Sequence, residues 1–514
     1  MQRLAESAET VMTGNSSRGV TRLRFPVAVI AGACSVLAFA PFGFWPLALA
    51  GLAVMFGLWR TATPREAFVL GWGYGIGLFG VGFFWVRISI SVYGGAPLAL
   101  ALASALLLAA AMALYPALAG AMSAHLAGRN WRRTAFAAPA AWTFFEWLRA
   151  WLFTGFPWLQ TGYSQIDSPL AGLAPLGGVL SVTLGVALVA GWVATLADRR
   201  APRLPLLSLV LLAVGSGIAR NHEWTQPAGD PVRVALLQGN VAQEEKWLAD
   251  KLVPTIDRYL EMTGAQPDSD MIIWPEAAIP ALAHEIEEML LEPLQAFAAR
   301  ERKVVVTGLL FVDEPGTRYF TSVLALDGGR DRYDKRHLVP FGEYFPLGFL
   351  WKDALRGLAT VSEDFTAGDA KKPLINAGPW PVGASICYEV LFGEEIREAL
   401  PEARFLVNVS NDGWFGDSIG PHQHFEVARM RALETGRFLL RATNTGVTAI
   451  IDPLGRVVDR LPQFRQDTLV GDVEPRAGMT PYARWGEWPA LLLAFLMALW
   501  CRYGRARDPA SPGG

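Results

Sequence analysis

The sequence has few of the residues that most cofactor and nucleic-acid sites require. It contains 3 cysteines and 6 histidines in 514 residues, and they do not cluster at the spacing of metal ligands. It has no glycine-rich loop of the kind that binds phosphates. The net charge of −2 provides no basic stripe for nucleic acid. The sequence therefore predicts no metal, no cofactor and no nucleic-acid partner.

Charged residues are scarce too, at 18% against about 25% in an ordinary soluble domain. The deficit falls in 25–219 and 485–502, whereas 220–484 has the composition of a soluble domain. A helix of roughly 20 apolar residues can cross a bilayer. Eight runs that approach this length lie at 25–40, 44–59, 67–86, 96–124, 134–152, 170–196, 204–219 and 485–502. We therefore predict a multi-span α-helical membrane domain with one large soluble insert.

Arginine is unevenly distributed among the connections between these runs. Every second connection is basic, and the remaining ones carry a single arginine, Arg87, between them. Basic connections stay in the cytoplasm, so both termini are expected there and the soluble insert on the other face, the periplasm of a bacterium with an inner and an outer membrane. The predicted parts are a cytoplasmic segment 1–24, spans 25–219, a periplasmic domain 220–484, a last span 485–502 and a cytoplasmic tail 503–514.

Short apolar runs alternate with helical patterns in the soluble insert. Strands are predicted over 232–238, 271–276, 303–311, 320–326, 382–387, 405–410, 438–443, 447–451 and 455–459. Helices are predicted over 247–262, 284–301, 394–400 and 421–436. This alternation indicates a layered α/β sandwich.

Three segments of the insert combine an apolar strand with a reactive side chain at or just after its end. They are IIWPE, RYDKRHLVPFGEYFP and ASICYE. Ligand sites of layered α/β folds lie at the carboxyl ends of strands, so Glu276, Lys335 and Cys387 are expected to converge. A cysteine attacks carbonyl carbon as the thiolate. Glu276 would accept the thiol proton, and Lys335 would stabilise the developing oxyanion.

Each of these residues also has a purely structural interpretation. A free cysteine is most often a small buried hydrophobe, and a single glutamate or lysine is usually a solvated surface charge. Histidine is the more usual base for a thiol, so His337, His422 and His424 remain open as alternatives to Glu276. Glu343, in the GEY turn, would orient Lys335, carry a proton or simply cap the turn.

The Glu–Lys–Cys set on WPE, YDK and CYE resembles the signature of the nitrilase superfamily. With a membrane domain on both sides, almost the whole chain resembles the apolipoprotein N-acyltransferase family. The resemblance implies an αββα sandwich and a ping-pong acyl transfer through a thioester on Cys387. The donor would be a phospholipid, typically the sn-1 chain of phosphatidylethanolamine. The acceptor would be the N-terminal amine of diacylglyceryl-cysteine on an apolipoprotein, in the last step of lipoprotein maturation. Matching stretches are LLQGNVAQEEKW, WPEAAIP, KRHLVPFGEYFP, ICYEVLF and NVSNDGWFG.

The same resemblance implies roles for individual residues. Glu276 would be the base for the thiol and then for the amine, and Lys335 would stabilise both tetrahedral intermediates. Four further residues would line or support the site: Glu343, Tyr388, Glu389 and Trp247.

Both lipid substrates keep their acyl chains in the membrane, and exposing a chain to water costs about 0.8 kcal/mol per CH₂. The site is therefore expected low over the bilayer, beside two apolar segments. Segment 344–365, with Phe345, Phe349 and Trp351, is predicted to act as a lid. Segment 152–165 is rich in the aromatic residues that favour the membrane interface. Both segments could instead be interfacial anchors.

Two other functions would use part of this pattern. A membrane-anchored amidase of the nitrilase type would use the same three residues on a soluble amide, but it would not need so many spans. A transporter would place charges inside its spans. The main ones here, Glu146 and Arg149, lie near the outer end of the fifth run and could pair across one helical turn.

Overall fold

The computed structural model describes residues 23–196, 204–313, 316–346, 364–369 and 372–507. The longer helices are α1 Leu23–Ala38, α2 Pro46–Trp59, α3 Pro64–Gly82, α4 Leu98–Met112, α5 Leu114–Leu126, α6 Ala138–Trp151, α7 Ala174–Thr195, α8 Leu204–Arg220, α9 Leu252–Gly264, α10 Glu292–Glu301, α11 Gly420–Thr435 and α12 Trp488–Arg507. Helices α1–α8 and α12 form an apolar body, and the remaining helices belong to the soluble insert.

Helix α3 shows how the sequence builds this body. Thr63 and Glu66 form a reciprocal capping box at its start, which satisfies backbone N–H groups that have no partner within the helix. Gly71 and Gly75 lie one turn apart on the face towards α5, where a Cβ atom would come within 2.4 Å of the Pro116 carbonyl and 2.6 Å of the Ala113 Cα, respectively. Small residues at this spacing let helix backbones touch, as in membrane helix pairs.

Helices occupy all eight predicted runs, but they differ in length. In the described part of the chain, Leu98–Leu126 and Pro169–Thr195 are long and apolar enough to cross a membrane. Helix α3 together with Val86–Tyr93, bent by 55°, would make a third crossing. The helices Leu23–Ala38, Pro46–Trp59 and Trp488–Tyr503 are apolar but shorter. The presence of apolar helices is thus confirmed, and eight complete crossings stay a prediction.

The soluble insert contains two six-stranded sheets. The strands are β1 Gln226–Pro227, β2 Val232–Gln238, β3 Met271–Ile273, β4 Val304–Val312, β5 Tyr319–Leu326, β6 Arg330–Asp334, β7 Leu374–Ala377, β8 Trp380–Ile386, β9 Phe405–Ser410, β10 Leu439–Thr443, β11 Ala449–Ile451, β12 Val457–Arg460, β13 Asp467–Val473 and β14 Arg476–Ala477. The first sheet has the order β13-β2-β3-β4-β5-β6 and the second has the order β12-β11-β10-β9-β8-β7. Strands β2, β3 and β4 are parallel, as are β8, β9 and β10.

The two sheets pack face to face between helices, so the predicted αββα arrangement is confirmed. Apolar residues of both sheets, such as Ile273 and Val407, form one buried core between them. The outer face of the first sheet is covered by α9 and α10, where Tyr259 and Leu294 are buried. The second sheet is covered by α11, which packs on its other side against α7 of the helical body. This contact seats the sandwich on the apolar body.

Three sequence-based expectations differ from the structure. Strand β3 ends at Ile273, because Pro275 has no N–H group for a further ladder bond, and Glu276 lies in the turn beyond. The helix predicted from residue 247 begins with a single turn at Ala249. The expectation of an apolar strand before Lys335 is wrong: β6 is the sequence RDRYD at the edge of its sheet. Charged residues are typical of such edges, and hydrophobic patterning does not detect them.

Candidate active site

Cys387 follows directly on β8, a central and almost fully buried strand. It is half-buried and adopts a left-handed backbone conformation with φ of +50°. Such a conformation costs a non-glycine residue about 1–3 kcal/mol and persists only when its surroundings impose it. The chain reverses into a short helical turn, Cys387–Leu391. The thiol therefore stands on a sharp turn at the carboxyl end of a strand.

The Cys387 thiol needs a base to become a nucleophile. Burial raises the pKa of this thiol well above its usual range, the Glu276 carboxylate raises it further, and Lys335 opposes them only in part. The resting side chain is therefore a thiol. Lys335 lies 3.8 Å from Glu276, and Glu276 binds the N–H of Asn411 at the end of β9, the strand beside β8, which carries Cys387. The structure thus brings the three predicted residues to the same end of the sandwich.

Lys335 lies between two carboxylates. Its Nζ is 3.8 Å from Glu276 Oε1 and 2.7 Å from Glu343 Oε1, and its side chain is 1% exposed. Burial alone would lower the pKa of Lys335, but Glu343 and Glu276 outweigh it and raise that pKa above its usual range. The amine is therefore a fixed ammonium, directed by Glu343 into the site.

Glu276 has the environment of a general base. It is buried, and its Oε2 accepts a hydrogen bond of 2.8 Å from the Asn411 N–H. Burial raises the pKa of Glu276, while Lys335 opposes the rise. A carboxylate with a raised pKa accepts protons more readily near neutral pH.

Glu343 combines two of the predicted roles. One oxygen binds Lys335, and the other accepts a 2.7 Å hydrogen bond from the Val339 N–H. The carboxylate thus closes the turn that precedes it and orients the lysine at the same time.

Glu389 and Tyr388 support the short helical turn Cys387–Leu391. The buried Glu389 carboxylate accepts hydrogen bonds from Tyr333 Oη at 2.8 Å and from the backbone N–H groups of Arg336, His337 and Ile386 at 2.7, 3.2 and 2.9 Å. It therefore ties the segment that carries Lys335 to the strand end that carries Cys387. Tyr388 donates from its hydroxyl to the Gly155 carbonyl, 3.1 Å away in segment 152–165.

The sequence analysis missed Lys246, the neighbour of Trp247. The Trp247 side chain is 53% exposed, whereas the Lys246 side chain is buried with its Nζ 3.4 Å from the Glu276 carbonyl oxygen. Burial lowers the pKa of Lys246 to about 8 against the opposing effect of Glu276. No sequence signal distinguishes this lysine from the solvated ones. The site role predicted for Trp247 stays a prediction.

The three histidines considered as alternative bases have other partners. His337 stacks on Phe392 with ring centroids 3.4 Å apart, and its Nδ1 lies 2.8 Å from Glu395. His422 binds Gln463 through Nε2. His424 meets the carbonyl oxygen of Cys387, 3.1 Å from Nε2. These contacts favour Glu276 as the base.

Segment 152–165 lies between the helical body and the sandwich. Trp158 and Tyr163 are buried, and Arg149 donates to the carbonyl oxygens of Phe156 and Trp158 at 2.5 and 2.7 Å. The predicted pairing of Glu146 with Arg149 is confirmed at 3.9 Å. Glu146 also accepts a hydrogen bond from the Thr161 N–H, so both charges bind the loop and have a structural role.

Segment 344–365 is described only at its two ends. Phe345 contacts Phe341 edge to face, with ring centroids 6.4 Å apart, whereas Phe349 and Trp351 lie outside the described residues. A cavity of about 660 Å³ is lined by Thr154 of segment 152–165 and by Tyr344 and Phe365 of segment 344–365.

In the part of the chain that the structure describes, no three His, Cys, Asp or Glu side chains come together as a metal site requires.

The chain is similar to known proteins over almost its full length. The family model for the apolipoprotein N-acyltransferase N-terminal domain matches residues 31–192, and the carbon-nitrogen hydrolase model matches residues 233–482. The apolipoprotein N-acyltransferase of Methylococcus capsulatus is 46% identical over 95% of this chain and 97% of its own length. The apolipoprotein N-acyltransferase of Azotobacter vinelandii is 43% identical over 96% of this chain and 98% of its own length. Among solved structures, Saccharomyces cerevisiae Nit3, a nitrilase superfamily member, matches 49% of this chain and 93% of its own with a TM-score of 0.38 and 17% identity. Because two curated relatives above 40% identity match nearly end to end, the chain belongs to the apolipoprotein N-acyltransferase family.

Proposed function

We propose that this chain transfers an acyl group from a phospholipid, typically the sn-1 chain of phosphatidylethanolamine, to the N-terminal amine of diacylglyceryl-cysteine on an apolipoprotein. The family name supports the apolipoprotein acceptor. The observation that carries the chemistry is the left-handed Cys387 beside a buried ammonium, Lys335, which two carboxylates hold in place.

In the first half-reaction, Glu276 takes the thiol proton of Cys387. The thiolate attacks the ester carbonyl carbon, and the Lys335 ammonium binds the resulting oxyanion, a stabilisation that is strong in a site sheltered from water. The C–O bond to the glycerol then breaks, and the leaving oxygen takes the proton from Glu276. The products are a thioester on Cys387 and a lysophospholipid.

In the second half-reaction, the neutral α-amine of the acceptor attacks the thioester carbonyl carbon. Glu276 removes one amine proton as the C–N bond forms, and Lys335 binds the oxyanion again. The C–S bond breaks, and the departing sulfur takes the proton from Glu276. The amide product leaves, and the free thiol of Cys387 is restored.

The proposed membrane arrangement retains the predicted parts. Segments 1–24 and 503–514 would be cytoplasmic, 25–219 and 485–502 would supply eight spans, and 220–484 would be the periplasmic catalytic domain of a bacterial inner-membrane protein. Large apolar side chains on the outside of the helical body support burial in lipid. Examples are Leu107, 71% exposed, and Ile218, 70% exposed. A surface in contact with water rarely carries wide apolar patches.

The proposed acyl entrance lies between segments 152–165 and 344–365. The cavity that both segments line supports this placement, and Trp147 and Trp151 of α6 form part of its apolar wall. Its wall also carries charged side chains such as Arg336 and Glu395, and Cys387 is not among its lining residues. Movement of Phe345, Phe349 and Trp351 as a lid stays a prediction.

A single measurement tests the proposal. Purified protein in detergent is incubated with phosphatidylethanolamine that carries a labelled sn-1 chain, without acceptor, and is weighed by intact mass spectrometry. The expected result is a gain of one acyl group that hydroxylamine removes and that Cys387→Ala abolishes. No adduct on folded wild-type protein would overturn the proposal. Turnover of a water-soluble amide in its place would point to the amidase alternative.

A further inference from the structure

A buried polar cluster lies behind the nucleophile, and the reaction steps above do not use it. It consists of His424 on α11, Asp412 after β9 and Arg441 on β10, all with side chains 0% exposed. Buried charged groups at this depth are costly unless they are paired and hydrogen-bonded. The charges are paired here: Arg441 Nη2 lies 2.8 Å from Asp412 Oδ2, and Ser410 donates to Asp412 Oδ1 at 2.9 Å. Among the described residues, only the Nε of Arg441 in this cluster is without a hydrogen-bond partner.

One ring nitrogen of His424 reaches the backbone of the nucleophile. Nε2 lies 3.1 Å from the carbonyl oxygen of Cys387. A carbonyl oxygen can only accept, so Nε2 must carry a hydrogen. Nδ1 lies 2.9 Å from Asp412 and 3.0 Å from Arg441, and it therefore has a partner whether or not it is protonated. Burial and the charge of Arg441 lower the pKa of His424, which favours the neutral ring with its hydrogen on Nε2.

Two neighbouring aromatic rings also fix the imidazole of His424. Trp158 stacks on it with centroids 5.5 Å apart, and Phe415 meets it edge to face at 6.0 Å. The indole N–H groups of Trp158 and Trp85 donate to Gln423, the preceding residue, at 2.7 and 3.2 Å. His424 is thus held in one orientation at the contact between the helical body and the sandwich.

We propose that His424 is a positioning residue: its Nε2–H holds the Cys387 carbonyl and keeps the nucleophile in the left-handed conformation that aims its thiol at Glu276 and Lys335. The reason is geometric. The direction of a carbonyl fixes the peptide plane that follows it, and a φ of +50° at a non-glycine residue needs an external constraint. The inference rests on the proposed role of Cys387 as the nucleophile.

The test compares His424→Phe, which keeps an aromatic ring but removes the donor, with His424→Gln, whose amide can restore it. Single-turnover thioester formation is measured with labelled phosphatidylethanolamine over a range of lipid concentrations. His424→Phe is expected to lower the maximal rate constant about 100-fold, as misplacement of a reacting group by about 1 Å can do, with the half-saturating lipid concentration little changed. His424→Gln should form the thioester at least about tenfold faster than His424→Phe. His422→Phe, two residues earlier on α11, is the matched control and should react like wild type.

Equal rates for His424→Phe and wild type, or equal losses in His424→Phe and His424→Gln, would overturn the inference. If His424→Phe does not fold, His424→Gln is compared with His424→Asn, whose shorter amide cannot reach the Cys387 carbonyl, and equal rates in that pair would overturn it too. Alkylation of Cys387 by iodoacetamide needs no lipid substrate. If wild type forms no thioester, the proposed function fails, while slower alkylation of His424→Phe than of His424→Gln would still support the positioning role.

Discussion

At the residue scale, the site depends on charges that burial would otherwise neutralise. Lys335 keeps its proton because Glu276 and Glu343 lie beside it. The buried carboxylate of Glu276 is stabilised by Lys335, by the Asn411 N–H and by the charge of Lys246. The Cys387 thiol has only partial help from Lys335. The arrangement therefore favours a thiol that ionises when the base takes its proton, rather than a standing thiolate.

Replacing Lys246 by Met should move the acidic limb of the pH–rate profile for thioester formation to higher pH. As the proposed base, Glu276 must be a carboxylate, so the rate should fall as the pH drops through its pKa, and the positive charge of Lys246 lowers that pKa. Without the charge, the pKa of Glu276 rises further and the limb follows. Because the pKa of Lys246 is itself about 8, the two profiles should converge above that pH.

The matched control for Lys246→Met is Lys251→Met, five residues along the same segment. Lys251 is 39% exposed and pairs with Glu245 at 3.2 Å, so its loss should leave the limb in place. An unchanged limb in Lys246→Met, or one moved to lower pH, would contradict the electrostatic role of Lys246.

At the element scale, the site is made by strand ends that meet. The turn after β3 carries Glu276, the end of β8 carries Cys387, and the residue after β9 donates to Glu276. The sequence locates these strands because they are continuous apolar runs, and β2 and β9 match their predicted bounds. It does not locate β6, a charged edge strand, or β13, whose exposed positions interrupt the pattern. The convergence of the site follows from strand order, whereas the contact of Lys246 depends on loop packing that has no local signature.

Glu389→Gln should destabilise the contact between the segment that carries Lys335 and the turn that carries Cys387. The carboxylate accepts from one hydroxyl and three backbone N–H groups, and an amide would replace one acceptor oxygen by a donor. The expected loss is about 2–3 kcal/mol of unfolding free energy, since buried donors to a charged acceptor are left unpaired. Thermal unfolding in detergent and thioester formation should both decline.

The matched control for Glu389→Gln is Glu398→Gln. Glu398 pairs with Arg336 on the same segment, but its side chain is 48% exposed, and exposed ion pairs contribute at most about 1 kcal/mol. If both variants unfold at the wild-type temperature, Glu389 does not stabilise the contact between β6 and the turn that carries Cys387.

At the scale of the whole molecule, the sandwich is anchored to the apolar body by segment 152–165 and by α11. Tyr388 donates a hydrogen bond to the Gly155 carbonyl, and Trp158 stacks on His424. Arg149 of α6 donates to the Trp158 carbonyl of the same segment. The turn that carries Cys387 is thus fixed to the part of the chain that would lie at the membrane surface. Such a connection suits an enzyme whose substrates remain in the bilayer, whereas a membrane-anchored amidase with a soluble substrate would not need it.

The orientation that the alternation of basic connections predicts can be measured directly. In a Cys34→Ser, Cys387→Ser, Cys501→Ser background, single cysteines are placed at Asp268, exposed in the sandwich, and at Arg129, exposed in the connection after α5. A membrane-impermeant maleimide should label Asp268→Cys in intact spheroplasts, because 220–484 is predicted to face outward. Arg129→Cys should be labelled only after permeabilisation, since Lys and Arg are retained on the cytoplasmic side. The reverse pattern would place Cys387 in the cytoplasm, away from the outer leaflet where the proposed lipid substrates lie.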